Sequence, residues 1–396
     1  MKWLHPNVPL LSVAQALMMS CNSLMVATAA LVGNNLATDK ALATLPLAMQ
    51  FIAVMVTSIP AAMLMQRIGR KAAFLLACGF GVGGGVLAST AILHHNFWQF
   101  VSGTFLVGVF NGFGNYFRFT AADSVELAYK SKAVSYTMLG GVVAAIAGPT
   151  LAKYSREWID GAEFAGSYMG VIALYLANFC VLSFLKIADR HDSKEKHVST
   201  GRPLKAIVTQ PDYVVALICG MLGYAIMSFV MTATPLAMNQ LAYQFEDTSV
   251  VIQWHVMAMF APSFFTGSLI LRFGVLRIMF CGALFGVACV SINLLGTAFI
   301  HFLAALIFLG LSWNFLFVGA TTLLTETYRS EERNKAQAVN DFVIFSTVSI
   351  GSLSSGALQN AYGWQAVNQG VIPFLGIIIV AILWLQRQRA QGLSAN

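Results

Sequence analysis

The sequence predicts an all-α membrane protein, with twelve transmembrane helices in two pseudo-symmetric six-helix bundles. Three observations predict it. Hydrophobic residues make up 58% of the 396 positions and charged residues only 10%, against roughly a quarter charged in soluble domains. Apolar runs long enough to cross a bilayer recur from one end of the chain to the other. A basic turn near residue 67 returns in a corresponding place near residue 272.

A hydrocarbon core needs about 20 apolar residues per helix. Divided at charges, prolines and asparagine clusters, the first half gives spans near 8–32, 42–65, 72–93, 98–119, 134–153 and 166–187. The second half gives spans near 212–237, 250–271, 276–299, 301–323, 339–358 and 370–386, with a very short turn between the ninth and tenth. The first run contains Gln15 and Asn22 and has no small-residue cleavage site, so it reads as a retained helix and not a signal peptide. These spans define an N-terminal half (1–187), a linker (188–208) and a C-terminal half (209–396).

Cation placement orients the chain. Of 23 Lys and Arg residues, all but Lys40, Lys153, Arg156 and Arg118 fall in loops that are cytoplasmic if both termini are cytoplasmic, and Arg118 sits at the inner end of span 4. The positive-inside rule therefore puts both termini and the basic linker Lys186–Lys205 on the cytoplasmic side of a cell inner membrane. The net charge of +7 has this topological meaning and does not imply nucleic acid. The six cysteines all lie in apolar segments and form no disulfide or zinc pattern. Neither a nucleotide-binding loop nor a catalytic triad spacing is present, so an enzyme is not expected.

Ionisable groups at membrane depth mark function. His255 is the one histidine well inside a span, while Arg118, Asp123, Glu326 and Asp341 lie at cytoplasmic helix ends, where caps or gating contacts are expected. Met227 and Met231 share a face of span 7, and His255 and Met259 share a face of span 8, each pair spaced i, i+4. If these antiparallel spans face each other, Met231 stands level with His255 and Met227 with Met259, ~6 Å apart along the axis. Three thioethers and one imidazole make a soft site that suits Cu(I). Packing methionines are the ordinary alternative.

The repeated turn reads Gln66-Arg67-Ile68-Gly69-Arg70 in one half and Leu271-Arg272-Phe273-Gly274 in the other. It resembles the loop signature of the major facilitator superfamily, with the usual acid before the Arg replaced by Gln66 and Leu271. That resemblance covers the whole chain and implies the major facilitator fold, with Arg67 and Arg272 as gating residues. The stretches Met227 to Pro235 and Trp254 to Pro262, with Asn115 to Asp123 and Arg333 to Asp341, resemble the CcoA-like copper importers and the riboflavin transporters related to them. In that family the four Met and His residues are implicated in copper uptake.

The expected function is thus secondary transport of a small substrate, with copper ions first as cargo and no cofactor. The alternatives are uptake of an organic solute such as riboflavin through a cavity lined by Asn22, Gln50, Asn111, Asn115, Trp254 and Asn314, or proton-coupled efflux. A monomer in the bilayer is expected.

Overall fold

The computed structural model describes residues 5–126, 130–187, 201–329 and 332–394. Most of the linker, 188–200, and the Gln66 and Arg333 side chains lie outside the described residues. The N-terminal half comprises α1 (Asn7–Leu36), α2 (Leu45–Ile68), α3 (Arg70–Leu93), α4 (Phe97–Gly114), α5 (Phe117–Asp123), α6 (Lys130–Met138), α7 (Gly140–Ser155) and α8 (Ala165–Ser183). After a short α9 (Leu204–Val208) come α10 (Pro211–Gln240), α11 (Phe245–Phe260), α12 (Ser263–Phe273), α13 (Val275–Leu295), α14 (Phe299–Thr325) and α15 (Arg333–Ser394).

Among the described residues, eight helices are long and apolar enough to cross a membrane, or nine with the bent pair α11 and α12; the remaining pieces fit the twelve crossings that the sequence predicts. Seven are single helices, namely α1, α2, α3, α8, α10, α13 and α14. Three are broken: α4 with α5, α6 with α7, and α11 with α12, the last pair bent by 42°. The final two are the limbs of α15 on either side of Gly363, whose φ of 77° interrupts the helix. Proline explains the bend at 261–262, because Pro262 has no N–H to continue the ladder of α11. The periodicity of span 8 predicted one continuous helix, and the break is a correction to that expectation.

The two repeated basic turns have matching backbones. Gly69 has φ 82° and ψ 156°, and Gly274 has φ 87° and ψ 148°. Both need glycine, since a side chain is strained at positive φ.

Small residues bring helices into backbone contact, as membrane packing favours. A Cβ on Gly84 of α3 would lie 2.7 Å from the Gly103 carbonyl of α4, and one on Gly148 of α7 would lie 2.6 Å from the Ser20 carbonyl of α1. A Cβ on Gly310 of α14 would lie 2.6 Å from the His255 carbonyl of α11.

The halves meet most closely on the face remote from the termini. There the Thr44 hydroxyl donates to the Leu353 carbonyl (3.1 Å) and the Ser249 hydroxyl to the Pro149 carbonyl (3.1 Å). The Phe164 and Phe245 rings pack edge to face at 4.9 Å, with the Arg156 guanidinium 5.7 and 5.5 Å from them. Deeper in, the Ser346 hydroxyl lies 3.0 Å from the Met55 sulfur.

On the terminal face the linker end is clamped to the loop before α15. Glu332, wholly buried, accepts from Arg202 N (2.7 Å), Nε (2.9 Å) and Nη2 (2.7 Å) and from Arg329 N (3.0 Å). The Arg202 guanidinium, with these hydrogen bonds, holds the Glu332 carboxyl well below the usual carboxylate range. A carboxylate with a lowered folded pKa stabilises above its unfolded value of about 4.3 and loses that contribution only as pH falls through the lowered one. The clamp therefore holds throughout neutral and mildly acidic pH. Glu332→Gln should raise amide exchange at Arg202 and in α9 at pH 7, and unchanged exchange there would show that the clamp does not order the linker end.

Candidate functional site

The four Met and His residues lie in the interior of the C-terminal half, each at most 7% exposed. The His255 Nδ1 lies 2.8 Å from the Leu306 carbonyl, so it donates there and leaves Nε2 as a lone pair. Nε2 is buried and has no partner. A shared register needs α10 and α11 to face each other, but the two touch only slightly: α10 packs mainly against α15 and next against α14, and α11 mainly against α14.

Three of the cavity residues come together. Asn22 of α1 accepts through Oδ1 from Gln50 Nε2 of α2 (2.8 Å) and from Asn111 Nδ2 of α4 (2.7 Å). That leaves Gln50 Oε1 and Asn111 Oδ1 buried and unpaired. Asn22 itself is half-buried, on a stripe with Met19 and Val26 in an otherwise buried stretch of α1. Asn115 is half-buried at the end of α4, where its N–H caps the helix to the Asn111 carbonyl.

The other two have different surroundings. Trp254 is 52% exposed and shares its helix face with exposed Val250, away from the α14-facing side that carries His255 and Met259. Asn314 is fully buried and satisfied. Its Nδ2 donates to the Met259 carbonyl (2.7 Å) and Ser263 Oγ (2.6 Å), and its Oδ1 accepts from Thr266 Oγ1 (2.7 Å). It braces the broken span 8 in place of lining a cavity.

The gating candidates also divide. Arg67 is exposed, and the ion pair at its turn belongs to Arg70, 2.8 Å from Asp123. Arg272 is exposed and lies 5.2 Å over the Phe273 ring. Arg118 lies 4.9 Å over the Phe119 ring, and the carboxylate of Asp341, on α15 of the other half, acts on its charge. Asp341 accepts from Asn340 (3.1 Å) and is exposed.

Sequence reading passed over an aromatic cluster. Tyr224 packs edge to face with Trp313 (5.4 Å), Phe317 (5.4 Å) and Phe345 (6.1 Å), and Phe260 with Trp313 (5.9 Å). Trp313 and Phe317 stack at 4.9 Å with planes 11° apart. Gly141 of α7 faces the Phe260 ring from the other half. The i, i+4 pair Trp313 and Phe317 was the available signal, but in a chain with 29 Phe such a pair does not stand out.

The Major Facilitator Superfamily profile matches this chain over residues 11–262 and again over 216–395. The chain belongs to that superfamily. It is a multi-pass membrane transporter and not an enzyme. It is 39% identical over 391 residues to the riboflavin transporter RfnT of Brucella anthropi, covering 98% of each chain. It is 26% identical over 345 residues to an uncharacterised facilitator-type transporter, YddS, of Bacillus subtilis, covering 82% of this chain and 78% of that one. A crystal structure of a D-xylose-proton symporter matches the facilitator's fold with TM-score 0.73 at 12% identity, over 96% of each chain. The copper expectation finds no counterpart among these relatives, and riboflavin, the alternative, does.

Proposed function

We propose that this facilitator takes up a planar, hydroxyl-bearing organic solute of the riboflavin kind. The observation that carries this reading is the amide cluster of Asn22, Gln50 and Asn111, which leaves two buried amide oxygens free to accept from solute hydroxyls. The full-length similarity to a riboflavin transporter supports the same substrate class. The membrane is the cell inner membrane and the terminal face is the cytoplasmic one, as the cation distribution favours. A reporter active only in the periplasm, fused after residue 200, should stay silent.

Copper is the second reading, favoured by the free, buried Nε2 of His255. One cell line assayed with radiolabelled riboflavin and with copper separates the two. Riboflavin accumulation is expected, with Met227→Leu within about twofold of the parent, because Leu and Met exchange at little cost in packing. Copper accumulation that Met227→Leu abolishes, with no riboflavin uptake in the parent, would reverse the order of the two readings.

A further inference from the structure

Among the described residues, buried polar atoms without a partner include acceptors on α2 and α4 and donors on α5 and α14. The N-terminal half presents acceptors, Gln50 Oε1 and Asn111 Oδ1, both buried and without a partner. The aromatic cluster presents donors. Trp313, only 7% exposed, has an indole Nε1 with no partner, and an indole N–H can only donate. Arg118 has a buried Nε likewise unpaired. Unpaired buried polar groups are uncommon in folded proteins and call for a partner. Tyr224, Phe260, Phe317 and Phe345 around Trp313 are all half-buried, so each keeps some exposed surface.

A solute that satisfies both sides has donors at one end and acceptors on an aromatic ring at the other. We infer that the transport site is two-ended: the cluster of Tyr224, Trp313, Phe317 and Phe345 with Arg118 holds a planar heteroaromatic ring by its carbonyl and ring-nitrogen edge, and Asn111 and Gln50 hold the hydroxyls of its side chain. This rests on the organic-solute reading above and adds the direction in which the solute lies. Aromatic faces hold the ring through offset and edge contacts, and the Arg118 guanidinium and Trp313 indole select a ring edge rich in acceptors. Helix α1, which carries Asn22, packs against both α10 and α11, the helices that carry Tyr224 and Phe260.

The two ends are tested with two probes: riboflavin, which has both parts, and lumichrome, the tricyclic ring without the hydroxylated chain. Parent transporter should take up riboflavin and be inhibited by lumichrome. Trp313→Phe keeps an aromatic ring and deletes the N–H. It should weaken riboflavin KM and lumichrome inhibition alike, each by about tenfold, the equivalent of about 1.4 kcal/mol. Asn111→Leu should weaken riboflavin KM similarly and leave the lumichrome inhibition constant unchanged. Membrane levels of each variant, measured by an epitope tag, separate weak binding from poor folding. If the parent transports riboflavin but Trp313→Phe alters neither constant, or Asn111→Leu weakens the ring alone as much as the whole solute, the two-ended site is wrong and the substrate reading stands. If the parent neither transports riboflavin nor is inhibited by lumichrome, both fall together.

Discussion

Asn314→Leu should leave a protein that melts at a distinctly lower temperature in detergent and no longer transports. The side chain is fully buried and makes three hydrogen bonds, to the Met259 carbonyl, Ser263 Oγ and Thr266 Oγ1. All three partners flank the break at Pro262, where α11 and α12 diverge by 42°. Within a continuous helix the Met259 carbonyl would accept from Ser263 N, so the break is what makes Asn314 necessary. Hydrogen bonds between membrane helices are worth about 0.6–1.7 kcal/mol each, so three on one side chain come to roughly 2–5 kcal/mol. That is a large share of a typical stability of about 5–15 kcal/mol. Leu fills the volume and restores none of the bonds, and no water replaces them in hydrocarbon. Thr266 is affected least, since without Asn314 its hydroxyl can turn to donate to the Pro262 carbonyl, 2.8 Å away. Asn314→Gln retains the polar groups one methylene further out and should fall between the parent and Leu. A Leu variant with the parent's melting temperature and transport would show that the break is held by packing alone.

Gly84→Ala should be severely destabilising, while Gly79→Ala, on the same helix α3, should be neutral or slightly stabilising. A Cβ at Gly79 meets nothing within 4 Å. One at Gly84 meets the Gly103 carbonyl at 2.7 Å, and one at Gly103 would meet Ala88 N at 2.7 Å. Each obstacle is backbone, so no rotamer change relieves it and α3 must move away from α4. Overpacking of this kind costs about 1–3 kcal/mol even where side chains can adjust. At Gly79 the better helix propensity of Ala contributes up to about 1 kcal/mol in the opposite direction. Thermal unfolding of both variants in one detergent checks the contrast, and equal melting temperatures would show that α3 and α4 are not in the contact described. The same reasoning makes Gly310 a link to the site, because displacing α11 there would shift His255 and Met259 together.

The two halves, their repeated basic turns and the intramembrane amides of α1, α2 and α4 were legible from sequence because each leaves a one-dimensional trace. Hydropathy marks a span whatever it packs against. Gly69 and Gly274 are recognisable as turns because a positive φ demands glycine. Asn22, Gln50 and Asn111 stood out because polar side chains are rare at that depth. Pairing was not legible in the same way. Arg67 and Arg70 lie in one turn, and only the position of Asp123 selects Arg70 as its partner. Trp254 and His255 are adjacent in sequence but project about 100° apart on the helix, so one is outside the bundle and the other inside.

Sequence by itself therefore determined a twelve-span facilitator of two related halves, since solvent, length and chain reversal are properties of single segments. Tertiary structure alone decided which polar residues are consumed by the fold and which stay free. Asn314 and Asn111 are the same residue type at similar depth, yet every polar group of Asn314 is spent bracing a broken helix while Asn111 keeps an unpaired oxygen. Tertiary structure also gathered Tyr224, Trp313, Phe317 and Phe345 from three helices into one cluster. The physical reason is that a hydrogen bond or a ring contact depends on distances of a few ångströms between segments far apart in sequence, and hydropathy carries no information about those distances.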